Sequence, residues 1–92
     1  REEGLWIPPH LVEAMLEGSL IQARLLLVLL RVQMQKDVPY WSPVSLSLGA
    51  LARMAGVHRS SVVRGLAEAE YRGIVRITRS GNVNTYSIVR LS

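Results

Sequence analysis

The feature that most constrains the fold is a run of twenty residues, 48–67, in which a helical apolar stripe is interrupted once and then resumes. One side of the first half carries apolar or small residues at helical spacing. These residues are Leu48, Leu51, Ala52 and Ala55. Gly56 interrupts the stripe, and glycine tolerates the left-handed backbone of a sharp turn. Val57 follows as an apolar residue that can pack beneath the turn. Val62 and Leu66 then continue the stripe at a spacing of four residues. The pattern predicts two helices joined by a tight turn, a helix-turn-helix.

The exposed start of the second predicted helix carries polar and basic side chains. They are Arg59, Ser60, Ser61 and Arg64. These residue types reach phosphate oxygens and base edges, and a recognition helix enters the major groove of DNA with such residues near its N-terminal end. We expect Arg64 to contact a guanine or a phosphate, and Val63 beside it to touch a thymine methyl group. The sequence therefore predicts that this end of the helix faces double-stranded DNA.

Three more residues of the motif are candidate contacts. Ser47 is expected to cap the first helix, whose free amides could then bind a phosphate. His58 stands where Ser, Thr or Asn is the usual cap, and we favour capping or plain exposure over a DNA contact. Arg53 lies on the helix that would cross above the groove, where a phosphate contact and an ordinary surface position are equal alternatives.

A β-hairpin is predicted directly after the motif. Residues 74–79 and 85–91 alternate as strands do, and residues 80–84 (SGNVN) form a polar turn between them. A helix-turn-helix at about 47–72 followed by a hairpin at 74–91 is the arrangement of a winged helix. The wing residues expected to follow the DNA backbone or enter the minor groove are Arg79, Ser80, Asn82 and Asn84. For the two asparagines, a simple turn role is an equal alternative.

Two scaffold helices are predicted in the front half. Residues 9–17 form the first, which ends at Gly18. Its expected apolar face consists of Leu11, Val12, Met15 and Leu16. The second, residues 19–35 with Ser19 as its cap, is apolar nearly all round at residues 25–30. It should be buried on several sides, although a dimer contact through one face is an alternative.

Residues 36–46 are predicted to be a connecting loop. Two prolines, Pro39 and Pro43, oppose regular structure there. Tyr40 and Trp41 lie between them, and we expect this aromatic pair to pin the loop onto the core.

Charge is distributed unevenly along the chain. The net charge is +4 over 92 residues. Residues 47–92 contain seven bases and two acids, a balance of +5, whereas residues 1–46 contain four bases and five acids, a balance of −1. Positive charge is therefore concentrated around the motif, and such a patch attracts polyanions. Length and composition predict one globular domain, residues 1–92, of the α+β class and mostly α-helical.

Several function classes are disfavoured by composition. The chain has no cysteine, and its histidines, His10 and His58, lie far apart, so no metal or cofactor is expected. Glu13 and Glu17 are one helical turn apart but have no third acid or histidine to form a catalytic group, so an enzyme is not expected. The apolar run at residues 25–30 is too short to span a membrane. Because the chain begins with Arg1, we expect a fragment of a longer cytoplasmic protein.

The whole pattern resembles a known family. Residues 6–15 (WIPPHLVEAM), the long leucine-rich helix, the aromatic loop, the motif and residues 73–75 (GIV) look like the N-terminal domain of phage replication protein O and similar plasmid replication initiators. The resemblance covers about residues 5–90, and position 58 departs from it because Ser or Thr is absent there. It implies binding of repeated sites at a replication origin, with Arg59, Ser60, Ser61 and Arg64 on the recognition helix and Arg79 on the wing.

The expected function is therefore sequence-specific binding of double-stranded DNA. The resemblance implies a bacterial, nucleoid- or plasmid-associated initiator that binds DNA as a dimer or array, and that recruits a replicative helicase or its loader through further segments. A transcription regulator with the same DNA chemistry is an alternative. A winged helix used as a protein-interaction module is another, and phosphate-driven binding would be distinguished from it by its loss at high salt.

Overall fold

The computed structural model describes residues 7–81 and 83–90, which form four α-helices and one three-stranded antiparallel sheet. In chain order the elements are α1 (Pro9–Glu17), α2 (Leu20–Lys36), β1 (Val44–Leu46), α3 (Leu48–Ala55), α4 (Arg59–Tyr71), β2 (Val75–Ser80) and β3 (Val83–Ile88). The expected α+β class with mostly helical content is confirmed. None of the helices in these residues is long and apolar enough to cross a membrane.

The ends of the helices follow the local signals of the sequence. Ser19 and Ser47 cap α2 and α3, each accepting a hydrogen bond at 3.1 Å from the amide three residues later. Gly56 ends α3 with a left-handed backbone, φ +69°, and the amide of Val57 donates to the carbonyl of Ala52 at 3.1 Å. Gly73 follows α4 in the same way at φ +75°. These predicted boundaries are confirmed.

The long helix α2 is the centre of the molecule. It contacts the other three helices and the strands β1 and β3, which confirms that it is buried on several sides. Helix α4 crosses it closely at Gly65, where an added Cβ would lie 2.7 Å from Ile21 Cγ2 and 2.7 Å from Leu25 Cδ1. Only glycine permits this approach, so Gly65 sets the distance between the two helices.

The predicted buried face of α1 is partly wrong. Leu11 and Ala14 are buried, whereas Val12 is 39% exposed and Leu16 is 81% exposed. The reason is that α1 packs mainly against one neighbour, α2, so it buries a narrower stripe than a helix with partners on two sides.

The prediction that residues 36–46 form only a loop is also wrong, because residues 44–46 form β1. This strand pairs antiparallel with β3, placing Val44 opposite Tyr86, and gives the sheet order β1-β3-β2. Its pairing partner lies some forty residues away, so no local sequence pattern predicts this strand. Pro43 does not disrupt the strand, because it precedes β1 and its missing N–H group is not needed for a hydrogen bond of the sheet. Of the aromatic pair that was expected to pin this loop, Tyr40 packs against the core, whereas Trp41 is 36% exposed.

The hairpin is tighter than predicted. Ser80 pairs with Val83, so only two residues connect β2 and β3 instead of the predicted five. Gly81, at φ +63°, supplies the positive φ that a two-residue connection requires. Strand β2 begins one residue later than predicted, and β3 runs from Val83 to Ile88 instead of 85–91. Asn82 and the predicted end of the second strand at Leu91 lie outside the described residues.

Candidate nucleic-acid interface

Helices α3 and α4 are joined by three residues, 56–58, and bury the apolar sides that the sequence indicated. Leu51, Ala52 and Ala55 of α3 and Val62 and Leu66 of α4 are all buried. Burial of these sides turns the opposite side of α4 outward. The local arrangement of two helices and a glycine turn is therefore as predicted.

The candidate contacts at the start of α4 lie on its outer side. Arg59, Ser60 and Arg64 are exposed, Val63 is 50% exposed, and Ser61 is half-buried. The ion pairs of the described residues are made by Arg72 and Arg79, not by Arg59 or Arg64. Both guanidinium groups thus keep their charge available to an anion.

His58 occupies the capping position of α4. Its Nδ1 accepts a hydrogen bond from the amide of Ser60 at 3.4 Å and lies 3.1 Å from Ser60 Oγ. The favoured interpretation of His58 as a cap is confirmed. The cap also engages the Ser60 hydroxyl, whereas Arg59 has no acidic partner among the described residues.

A cleft of about 340 Å³ brings three separately predicted parts together. The start of α3, the start of α4 and the tip of the hairpin line it through Ser47, Gly49, Arg59, Gly81 and Asn84. The first amides of a helix have no partner within the helix itself and favour an anion. A cation, helix amides and a polar hairpin tip therefore border one opening, a combination suited to a phosphate.

Arg79, the hairpin arginine that was expected to contact DNA, has a partner inside the chain. Arg79 Nη2 lies 3.2 Å from Glu70 Oε1, so the hairpin is joined to the last turn of α4. The hydrogen bond to this carboxylate raises the pKa of Arg79. Glu70 lies nine residues before Arg79 in sequence, and no local pattern indicated that the two would meet.

Glu68 is turned toward the scaffold. Its carboxylate accepts hydrogen bonds from the Ser19 amide at 3.0 Å and from the Ser19 hydroxyl at 2.6 Å. These hydrogen bonds, the hydroxyl first, lower the pKa of Glu68. Arg72, four residues further along, also approaches this carboxylate, with its Nη1 3.8 Å from Glu68 Oε2. The acid that would have repelled DNA instead binds the start of α2.

Arg72 joins the end of α4 to the junction of α1 and α2. Its Nη1 donates to the carbonyl of Ala14 at 3.1 Å and to Gln22 Oε1 at 3.0 Å, and its Nη2 lies 3.5 Å from Glu17. The sequence offered no local signal for these contacts, because the partners lie at least fifty residues away. They fix the orientation of α4 on the scaffold.

The remaining candidates lie around this edge. Arg53 and Ser80 are exposed and Asn84 is half-buried, while Asn82 lies outside the described residues. Arg24 of α2, whose role was not predicted, donates to the carbonyl of Ala55 at 2.8 Å and thereby satisfies the end of α3. Because the C-terminal end of a helix carries partial negative charge, a nearby arginine such as Arg24 could have been expected to bind there.

No group of three or more His, Cys, Asp or Glu side chains suited to a metal ion occurs within residues 7–81 and 83–90. In comparisons with known proteins, no family model, no curated protein and no solved structure matches this chain.

Proposed function

We propose that this chain is a winged helix that binds double-stranded DNA sequence-specifically, with α4 in the major groove and the β2–β3 hairpin as the wing. The order of elements supports the fold assignment: α2, β1, α3, α4, β2 and β3 follow one another, and β1 closes the sheet beside β3. A short strand before the two-helix motif and a hairpin after it are the order of elements expected of a winged helix.

The observation that carries the proposal is the charge arrangement around α4. Its two acids are both engaged, Glu68 with Ser19 and Arg72, and Glu70 with Arg79. The cations at its start, Arg59 and Arg64, have no acidic partner among the described residues. The end of α4 that would enter a groove is therefore positive, and its acids are neutralised at the opposite end.

The dimensions of the interface also suit duplex DNA. Helix α4 has thirteen residues, so it is about 20 Å long at 1.5 Å per residue. The major groove is about 12 Å wide and accommodates such a helix. The cleft between Ser47, Arg59 and Asn84 lies beside the helix start, where a backbone phosphate would be held while Arg64 and Val63 meet base edges.

The biological role that we propose is recognition of an origin by a phage or plasmid replication initiator. The resemblance of residues 5–90 to that family supports this role over transcriptional regulation, although both use the same DNA chemistry. Recruitment of a helicase or loader would depend on segments beyond this chain.

Selection of bound duplexes from a random pool tests the proposal. We expect enrichment of one sequence, and the recovery of direct repeats or a palindrome would report how copies are arranged on it. Binding of the selected duplex should fall steeply as salt rises, with a slope set by the number of neutralised phosphates. If no duplex sequence is enriched and binding does not change with salt concentration, DNA recognition is contradicted and a protein-interaction module is favoured.

A further inference from the structure

The face of the sheet that points away from the helices carries polar side chains. These side chains are not part of the candidate interface formed by α3, α4 and the hairpin tip. Side chains alternate along β2 and β3, so Ile77 and Tyr86 point into the core and their neighbours point outward. At the end of this face far from the hairpin turn, Trp41, Arg76, Ser87 and Arg90 line a cleft of about 320 Å³. We call it the sheet cleft.

Arg90 makes a cation–π contact at the sheet cleft. Its Cζ lies 4.2 Å from the centroid of the Trp41 ring. Trp41 in turn meets Tyr40 edge-on, with ring centroids 4.9 Å apart and planes at 85°, and Tyr40 packs against the core. A cation–π contact of this kind leaves the guanidinium N–H groups that point away from the ring available to an acceptor. Arg90 therefore presents a pre-positioned set of donors.

Arg76 brings a second cation to the same cleft. It is exposed and stands opposite Ser87 in the pairing of β2 with β3. In the part of the chain that the structure describes, the ion pairs belong to Arg72 and Arg79, and neither Arg76 nor Arg90 has an acidic partner. Two guanidinium groups on one cleft repel each other unless an anion lies between them, and phosphate oxygens match the geometry of their donors.

We propose that the sheet cleft binds a phosphate group of a nucleic acid, as a contact separate from the edge at α4. Arg76 lies three residues along β2 from Arg79, the cation of the hairpin, about 10 Å at 3.3 Å per residue. This span exceeds the screening length of about 8 Å at physiological salt, so the two sets of cations act independently. The identification of DNA as the source of the phosphate rests on the proposed function, whereas the anion site itself does not.

NMR titration of the 92-residue chain tests the site directly. The probes are the selected duplex in one arm and inorganic phosphate in the other, and the reporters are the Trp41 indole N–H and the Arg76 and Arg90 Nε–H resonances. We expect saturable shifts of these resonances in both arms. In the double variant Arg76→Gln, Arg90→Gln, the phosphate affinity read at Trp41 should fall about tenfold or more, because two charge-assisted contacts are lost.

The matched control is the double variant Arg31→Gln, Lys36→Gln, which removes the same charge from exposed positions of α2 and should leave the Trp41 response intact. Shifts with phosphate alone would overturn nucleic acid as the source. No shift at Trp41 in either arm, or shifts that survive Arg76→Gln, Arg90→Gln, would overturn the site.

Loss of binding at the sheet cleft and loss of binding at α4 can be distinguished experimentally. If α4 does not bind DNA, no duplex is selected, yet the phosphate arm still reports on the sheet cleft. Conversely, the variant Arg59→Gln, Arg64→Gln should lose the selected duplex while the Trp41 response to inorganic phosphate is retained.

Discussion

Arg79 on β2 and Glu70 in the last turn of α4 form an ion pair, with Nη2 of the arginine 3.2 Å from Oε1 of the glutamate. The contact ties the hairpin to the helix that we propose reads DNA. It also holds Arg79, the expected wing contact, against an acid. The ion pair therefore holds the hairpin against α4 and reduces the positive charge that the hairpin presents.

Release of this arginine should strengthen non-specific DNA binding. In Glu70→Gln the carboxylate is lost and Arg79 becomes available to a phosphate, so we expect tighter binding to random duplex and a salt slope steeper by about 1. Fluorescence anisotropy over a range of salt measures both. Glu13→Gln removes the same charge from an exposed position of α1.

An equal gain in Glu13→Gln would mean that only net charge matters. The gain should also disappear when Arg79→Gln is added to Glu70→Gln, and its persistence would contradict a role for Arg79.

Replacement of Arg64 should reduce specificity more than general affinity. Arg64 is exposed on the outer side of α4. Arg64→Ala should weaken binding of the selected duplex by about 1–3 kcal/mol and relax the preference at one base pair. Competition binding against single-base variants of the site measures this. Arg31→Ala, an exposed arginine of α2, is the control, and an equal loss there would show that Arg64 contributes charge alone.

The close crossing at Gly65 should tolerate no side chain. Gly65→Ala places a methyl group 2.7 Å from both Ile21 Cγ2 and Leu25 Cδ1, so the helices must move apart. We expect a loss of about 1–3 kcal/mol in the free energy of unfolding. At Gly49 in α3 the added Cβ would meet only Arg53 Nη1, at 3.7 Å. Gly49→Ala should be neutral or stabilising by up to about 1 kcal/mol. Urea unfolding of both variants makes the comparison, and equal effects would contradict the close crossing.

The pairing of Ser19 with Glu68 should make stability depend on pH. Hydrogen bonds from Ser19 lower the pKa of Glu68 below its ordinary value of 4.5. The unfolded chain therefore binds a proton more readily than the folded one. This contribution to stability is fully present above pH 4.5 and is lost as the pH falls through the lowered pKa.

Ser19→Ala should cost about 1 kcal/mol at neutral pH, because the cap of α2 is lost, and it should also flatten the acid limb of the stability profile. Ser47→Ala removes the equivalent cap of α3, which has no carboxylate partner in the described residues, and should leave that limb unchanged. Urea unfolding from neutral pH to below 4.5 distinguishes the two. Parallel profiles of the two variants would refute the role of Ser19.

The boundaries of the helices were predictable because they depend on neighbours in sequence. A serine before a helix satisfies an amide three residues later, and a glycine after it adopts the left-handed backbone that ends it. Ser19, Ser47 and Gly56 act in this way. The apolar spacing of α3 and α4 likewise fixed which sides are buried, and the exposure of Arg59 and Arg64 followed from it.

The tertiary structure decided what depends on distant partners. Strand β1 exists because β3 pairs with it, and the narrow buried stripe of α1 follows from its single main neighbour. The same holds for the electrostatics of the candidate interface. Sequence located the acids of α4, but only the fold placed Ser19 beside Glu68 and Arg79 beside Glu70, since contacts over such separations depend on how whole elements pack.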